Sequence, residues 1–127
     1  MSAHVLFDSS AIILYFNNAV STESFSLIKQ AIEERAGAIS VITRAEVLAW
    51  PSHTAQSIEL ASAGMLGFEQ IDVDSIIADE AARIRRECNL KLPDALIAAT
   101  AKLRGLAVIT ANVRDFERVS QLKVISF

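Results

Sequence analysis

The sequence contains little cysteine, glycine and proline, and it has no long hydrophobic run. The single cysteine, Cys88, excludes an intrachain disulfide and a cysteine-based zinc site, and it indicates a reducing compartment. Four glycines and two prolines leave little room for long loops or linkers. The longest uncharged stretch, from Ser9 to Thr22, includes Asn17 and Asn18, so it is too short and too polar to span a bilayer.

The chain also lacks a basic excess and a basic amino-terminal region. Its 12 Lys and Arg against 15 Asp and Glu give a net charge of −3, which alone argues against nucleic-acid binding. Asp8 interrupts the first apolar run, so no signal peptide is expected. With 52% hydrophobic residues, a chain of this length buries roughly two thirds of its surface. We predict one soluble domain, residues 1–127, in the cytoplasm.

Apolar patterns predict strands that alternate with helices. Short apolar runs at 4–7, 38–42 and 106–109 predict buried strands, and alternating patterns at 68–73 and 123–127 predict edge strands. Four or five strands separated by helices predict an α/β fold with a mostly parallel sheet covered on both faces. Three helices are predicted from apolar residues that recur on one face: Phe25, Ile28 and Ile32; Ile77, Ala81, Ile84 and Cys88; and Leu96, Ala99 and Leu103, where Gly105 ends the helix. Two further helices, one beginning near Thr43 and one at 54–66, are predicted to be separated by a break at Trp50-Pro51.

Four carboxylates are expected at one edge of this sheet. Asp8 follows the first strand, Glu46 lies in the first turn of the helix after the second, and Asp115 lies just past the strand at 106–109. Asp94 opens the helix before that strand, and a crossover helix runs antiparallel to its strands. Because parallel sheets bind ligands beyond the carboxyl ends of their strands, the four acids converge. Their mutual repulsion favours a bound hard cation, Mg²⁺ or Mn²⁺.

Each acid also has a purely structural interpretation. Asp8 could cap a helix, Thr43 to Glu46 fits a capping box, and Asp94 after Pro93 suits the positive end of a helix. Asn112 could cap a short turn that contains Asp115. These interpretations stay open for each acid singly, and the repulsion among four acids favours the metal site.

Other kinds of site are poorly supported by the sequence. Cys88 completes an apolar helical stripe and is predicted to belong to the core. His4 and His53 lack a Ser or Cys partner in a recognisable triad context, so both are predicted to be structural. No glycine-rich phosphate-binding or dinucleotide-binding motif occurs.

Four segments of the sequence carry a family resemblance: Phe7-Asp8-Ser9-Ser10-Ala11-Ile12, Thr43-Arg44-Ala45-Glu46-Val47, the stretch from Leu92 to Ala101, and the stretch from Ile109 to Phe116. They resemble motifs of the PIN-domain family, and a single domain of this size resembles the VapC-type toxins of that family. The resemblance implies a Mg²⁺-dependent endoribonuclease that a small antitoxin inhibits, with Asp8, Glu46, Asp94 and Asp115 as its acidic quartet. It also suggests structured RNA, such as tRNA, as substrate. Asn112 stands where some relatives carry another acid, which leaves the number of metal ions open.

The expected roles follow from metal-assisted phosphodiester hydrolysis. Three of the acids are expected to coordinate the metal directly or through water, while Glu46 joins them or orients the attacking water. Without the four acids the count is 12 basic against 15 − 4 = 11 acidic residues, a balance that permits phosphate binding. Residues expected to orient the carboxylates are Ser9, Thr110 and Asn112, and those expected to contact RNA phosphates are Arg44, Lys91, Arg114 and Arg118.

The segment at 11–16 is more apolar than one buried stripe requires, so part of it is expected to be exposed as a protein interface. The resemblance suggests a homodimer and a groove for the antitoxin. Two other functions remain possible from the sequence: a catalytically silent protein-binding module, or a Mg²⁺-dependent aspartyl phosphatase with Asp8 as nucleophile. The intact quartet argues against the first, and Ser10 in place of a second acid argues against the other.

Overall fold

Residues 3–127, which a computed structural model describes, form five strands and seven helices. The strands are β1 (Val5–Phe7), β2 (Gly37–Ser40), β3 (Glu69–Ile71), β4 (Ala107–Thr110) and β5 (Val124–Ser126). The helices are α1 (Ser9–Phe16), α2 (Thr22–Glu33), α3 (Val41–Leu48), α4 (Ala55–Met65), α5 (Ser75–Cys88), α6 (Leu92–Arg104) and α7 (Val113–Phe116). No helix within this range has the length and apolar character needed to cross a membrane.

All five strands form one parallel sheet in the order β3-β2-β1-β4-β5. The predicted α/β fold with a parallel sheet is therefore confirmed. The central strands are the ones with continuous apolar runs, and the alternating segments supply the edge strands β3 and β5, as the patterns predict.

Neighbouring residues of β1 point to opposite faces of the sheet and belong to different halves of the core. Leu6 packs with residues of α5, α6 and α7, including Ile84 and Phe116. Phe7 packs with residues of α1 to α4, including Ile12 and Met65. Two helical layers thus cover the sheet, and the acids at its carboxyl edge lie on well-packed elements.

The boundary between β2 and α3 differs from the prediction. The strand ends at Ser40, and the helix already begins at Val41 rather than near Thr43. The physical reason is the cap: the Ile42 amide donates to the Ser40 hydroxyl oxygen at 3.0 Å. A short apolar run cannot by itself distinguish a strand end from a helix start. The predicted break at Trp50-Pro51 is confirmed, because α3 ends at Leu48 and α4 begins at Ala55.

Helix α6 is buried more widely than its predicted stripe. Ala95 and the whole run from Ile97 to Ala101 are buried, whereas Leu103, the last residue of the apolar pattern that predicts this helix, remains 47% exposed. Small alanine side chains allow the sheet and α5 to approach this helix closely. Gly105 ends the helix with φ +68°, a conformation that glycine adopts without steric cost.

An ion-pair network fastens α6 to α5. Glu80 pairs with Arg83 at 2.6 Å and with Lys102 of α6 at 3.1 Å, and Arg83 also pairs with Glu87 at 3.0 Å. The hydrogen bond from Arg83 outweighs burial, and with Lys102 it lowers the pKa of Glu80 to about 2. The network therefore holds Glu80 ionised in the folded protein at all ordinary pH values.

We expect Glu80→Gln to lower the free energy of unfolding at pH 7 by about 0.5–1 kcal/mol, the size of a partly exposed ion-pair network. Because the folded-state pKa of Glu80 is depressed, its contribution is complete above the unfolded value of 4.5. The contribution declines as the pH falls towards about 2. Urea unfolding at pH 7 and pH 3 checks this. An undiminished difference at pH 3 would contradict the assignment.

Candidate active site

Four elements bring the predicted carboxylates towards the carboxyl edge of the sheet. Asp8 directly follows β1, and Asp115 lies on α7 after β4. Glu46 is the sixth residue of α3, which follows β2, and Asp94 is the third residue of α6. Helix α6 leads into β4 through the turn at Gly105, so its N-terminus lies at the carboxyl edge. The chain thus gathers these acids from positions more than one hundred residues apart.

The carboxylate of Asp8 is 2% exposed and accepts three hydrogen bonds. Its Oδ1 accepts from the Ala11 amide at 3.2 Å and from the Ser10 hydroxyl at 2.5 Å. Its Oδ2 accepts from the Thr110 hydroxyl at 2.7 Å. Asp8 therefore caps α1, as its structural interpretation predicts. A carboxylate has about four acceptor positions, so one position on Oδ2 remains available to a further ligand.

Ser10 and Thr110 connect this carboxylate to the chain that leaves β4. The Ala111 amide donates to Ser10 Oγ at 3.1 Å, and the Asn112 amide donates to Thr110 Oγ1 at 2.8 Å. Each hydroxyl thus donates to Asp8 and accepts from a backbone amide. The position of Asp8 is consequently fixed to the start of the segment that carries Asp115.

Glu46 does not form the capping box that the sequence allows. The N-cap of α3 is Ser40 rather than Thr43, which places Glu46 a full turn too far along the helix for a capping box. Its Oε1 accepts from the Ser9 hydroxyl at 2.5 Å, and Thr43 Oγ1 lies 3.3 Å from the same hydroxyl. Ser9 therefore joins Glu46 to the residue that follows Asp8.

Asp94 is the acid whose electrostatic environment is most unfavourable. Burial raises its pKa, and the charges of Asp8, Glu46 and Asp115 raise it further, whereas Lys91 lowers it. Its position in the first turn of α6 favours the charged form, but the pKa is nevertheless raised. The charged form of Asp94 is therefore less favourable here than in water.

Asp115 pairs with a cation of its own helix region. Arg118 Nη2 lies 2.7 Å from Asp115 Oδ1, and Arg118 Nη1 donates to the carbonyl oxygens of Cys88 and Asn89 at 3.4 and 3.3 Å. Asn112 is the N-cap residue of α7, but its side chain makes no capping hydrogen bond. Its backbone amide donates to Thr110 Oγ1, which belongs to the network around Asp8.

The predicted phosphate-binding residues differ in their exposure and in the contacts they already make. Lys91 and Arg114 are exposed, and Arg44 is half-buried. Arg118 is engaged with Asp115 and two carbonyl groups. Lys91 is close enough to Asp94 to affect its pKa, so it lies beside the acids.

The acids do not form a ready-made ligand shell. Within residues 3–127, no three His, Cys, Asp or Glu side chains are close enough to enclose a metal ion. The oxygen-only set nevertheless suits Mg²⁺, which binds through one or two carboxylates and keeps several waters. One acceptor position of Asp8 remains available, and burial together with three neighbouring acids raises the pKa of Asp94. Oxygen ligands of this kind fit a hydrated Mg²⁺ ion.

Two hydroxyls of the site were not predicted to orient carboxylates. Ser10 contacts Asp8 directly, and Thr43 contacts Ser9. Ser10 could have been inferred, because Ser or Thr two residues after a capping Asp commonly hydrogen-bonds locally. Thr43 could not, because its partner is 34 residues away.

A second feature is an apolar groove of about 600 Å³ among α1, α3 and α4. The exposed Leu60 and the half-buried Phe16 contribute to its wall. His53 is fixed there, with Nδ1 2.8 Å from Ser57 Oγ and Nε2 2.8 Å from the Val47 carbonyl oxygen. His4, in contrast, is exposed. The groove is lined by Ile13, Phe16, Asn17, Val47, Trp50, Ser52, His53, Ser57, Leu60 and Ala61.

Comparisons with known proteins identify the class of this domain. The family model of the PIN domain matches residues 5–122. None of the curated proteins compared with the sequence matches it. A solved toxin–antitoxin complex from Klebsiella pneumoniae contains a chain with 33% identity and a TM-score of 0.76, with 95% of each chain covered. The chain therefore belongs to the PIN-domain family.

Two further solved structures are similar to this chain over almost its whole length. VapBC2 from Rickettsia felis bound to a promoter DNA fragment matches with a TM-score of 0.84 and 18% identity, covering 100% of this chain and 99% of the other. DNA-bound VapBC from Salmonella typhimurium matches with a TM-score of 0.84 and 22% identity, covering 98% of each chain. The domain thus has the fold of VapC-type toxins, as the sequence resemblance predicts.

We expect Thr110→Val to lower the free energy of unfolding by about 1–3 kcal/mol, because it deprives the buried Asp8 of a donor and the Asn112 amide of its acceptor. The matched control is Thr100→Val. Thr100 is equally buried, but its hydroxyl donates only to the Leu96 carbonyl of its own helix. Urea unfolding of both variants at pH 7 provides the test. Equal losses would show that the contact between Thr110 and Asp8 has no special importance.

Proposed function

We propose that this protein is a Mg²⁺-dependent endoribonuclease of the VapC toxin type, with Asp8, Glu46, Asp94 and Asp115 as its catalytic acids. The observation that carries the proposal is that acids from four separate elements lie at the carboxyl edge of the sheet, close enough for three of them to raise the pKa of Asp94. That is the edge at which parallel α/β folds bind ligands.

The excess of negative charge also argues for catalysis over a structural role. A cluster of acids that merely stabilised the fold would have partners that lower their pKa values, as Glu80 has. For Asp94 the opposite holds, because burial and its three acidic neighbours raise its pKa. Such an arrangement lowers stability, and it is typical of functional sites.

The residues have distinct expected roles in phosphodiester hydrolysis. A bound divalent ion supplies a more acidic water and a polarised phosphoryl oxygen. Asp8 and Asp94 hold the ion, and Ser10 and Thr110 fix the orientation of Asp8. Glu46, which Ser9 holds, accepts a proton from the attacking water or orients that water. Asp115 coordinates the ion with Asp8 and Asp94, directly or through water.

Basic side chains near these acids are suited to contact the RNA backbone. Lys91 and Arg114 are exposed, and Arg44 is half-buried on the same helix as Glu46. Side chains of this kind bind phosphates without reading sequence. The preference for structured RNA such as tRNA rests on the family resemblance.

The partner in this proposal is a small antitoxin whose apolar segment occupies the groove among α1, α3 and α4. Leu60 is 66% exposed in the free chain, and such exposed apolar side chains are typical of interfaces. The residues from Ile13 to Phe16 are half-buried, so part of α1 also remains open to a second copy of the chain. We therefore propose a homodimer that binds an antitoxin.

The nuclease proposal is tested with RNA, Mg²⁺ and two substitutions at the acids. Wild-type protein should cleave RNA with Mg²⁺ and lose cleavage in EDTA. Asp94→Asn and Glu46→Gln should lower the rate by about a hundredfold or more, because they remove a metal ligand and a base for the attacking water, while Glu33→Gln, an exposed acid at the end of α2, should not. Without metal, Asp94→Asn should unfold at a higher temperature than wild type, because it removes a carboxylate whose raised pKa opposes folding at neutral pH. Undiminished cleavage by Glu46→Gln would contradict its assigned role.

The partner proposal is tested by measuring molar mass with light scattering. The isolated chain should have twice its 13.8 kDa mass, and co-expression with the small protein encoded beside it should give a larger, catalytically inhibited complex. Leu60→Asp should prevent only the larger complex. The control Leu103→Asp changes an exposed leucine of α6 and should leave both assemblies intact. A monomeric mass for the isolated chain, or a complex that survives Leu60→Asp, would oppose the proposal.

A further inference from the structure

We propose that Arg118 is a positioning residue that holds Asp115 in place, and not a contact for RNA phosphates. This inference rests on the proposed function, because it concerns the geometry of one of the acids assigned there. It replaces the expectation from sequence that Arg118 lies free to bind RNA.

Asp115 needs support from outside its own helix. Helix α7 has only four residues, Val113–Phe116, and so short a helix has little stability of its own. Its N-cap residue, Asn112, makes no side-chain capping bond. Phe116 is fully buried and anchors the end of the helix, but this contact leaves the direction of the Asp115 side chain undetermined.

Arg118 restrains the Asp115 side chain, because the two terminal nitrogens of its guanidinium group bind different partners. Nη2 pairs with Asp115 Oδ1 at 2.7 Å, and Nη1 donates to the carbonyl oxygens of Cys88 and Asn89. These carbonyls lie at the C-terminus of α5, where the helix dipole attracts a cation. A guanidinium is planar and rigid, so Asp115 is held at a set distance from this helix end.

The helix end is itself close in sequence to another acid of the site. Asn89 ends α5 in the left-handed conformation, with φ 56°, and α6 begins three residues later at Leu92. Asp94 is the third residue of that helix. Arg118 therefore links the segment carrying Asp115 to the connection that leads into Asp94.

Because Arg118 and Asp115 are both exposed, their ion pair can orient Asp115 without contributing much to the stability of the fold. The side chains of Arg118 and Asp115 are both 44% exposed, and exposed ion pairs contribute little to folding. The loss of Arg118 should therefore leave the domain folded. An RNA contact, in turn, would require the guanidinium to leave three acceptors that it already holds.

The test compares Arg118→Gln and Arg118→Lys with the control Arg86→Gln. Arg86 is exposed in the last turn of α5, so its substitution removes one positive charge close to the same helix end. Lysine retains the charge at position 118 but is a single point donor that cannot hold the carboxylate and the carbonyls in one rigid plane. A phosphate contact would tolerate lysine, and the two-sided restraint would not.

In RNA cleavage with Mg²⁺, both Arg118 variants should lose at least about tenfold in kcat, because misplacement of a reacting group by about 1 Å costs on that order or more. KM for RNA should change by less than about twofold, and Arg86→Gln should resemble wild type. Recovery of kcat in Arg118→Lys, or a raised KM with unchanged kcat, would overturn the proposal.

Hydrogen exchange without metal gives an independent readout. In EDTA, both Arg118 variants should exchange amides faster at 89–91 and at 113–119, since one side chain restrains both segments. Acceleration confined to 113–119, or absent from both, would overturn the proposal. If wild type fails to cleave RNA, the proposed function fails, whereas the exchange result still decides whether Arg118 restrains Asp115.

Discussion

The buried carboxylate of Asp8 is the constraint on which the candidate site depends. A charge that is 2% exposed is tolerated only if its oxygens accept hydrogen bonds, because an unpaired buried charge costs several kcal/mol. Ser10 and Thr110 meet that need, and both hydroxyls also accept from amides that follow β4. A single carboxyl side chain thereby fixes the start of α1 against the end of β4, two segments about one hundred residues apart in the sequence.

The carboxylate of Asp94 lies where its negative charge is unfavourable. A helix N-terminus contributes about 0.3–1 kcal/mol towards a nearby carboxylate, and Lys91 adds to that effect. Burial and three acidic neighbours outweigh both, because the pKa of Asp94 is raised. The fold therefore tolerates an electrostatic cost at the very edge where a cation would relieve it. The Glu80 network shows that the same chain balances its acids where only stability is at stake.

The sequence predicts the sheet and the placement of the acids because both follow from general rules of parallel α/β folds. Apolar runs mark the central strands, and polar residues after strands must lie at the carboxyl edge. The start of α3 depends on a local cap, Ser40, which the apolar run from 38 to 42 obscures. The rest depends on contacts that no local pattern reports, because Glu46 is bound by Ser9 across 37 residues and Arg118 contacts carbonyls 29 and 30 residues away.

Two helices connect the acids with the apolar groove. The N-terminal end of α1 carries Ser9 and Ser10, which contact Glu46 and Asp8, while its later residues Ile13 and Phe16 line the groove. In α3, Glu46 accepts the hydrogen bond from Ser9, and the next residue, Val47, lines the groove. The groove and the acids therefore share two short helices, α1 and α3.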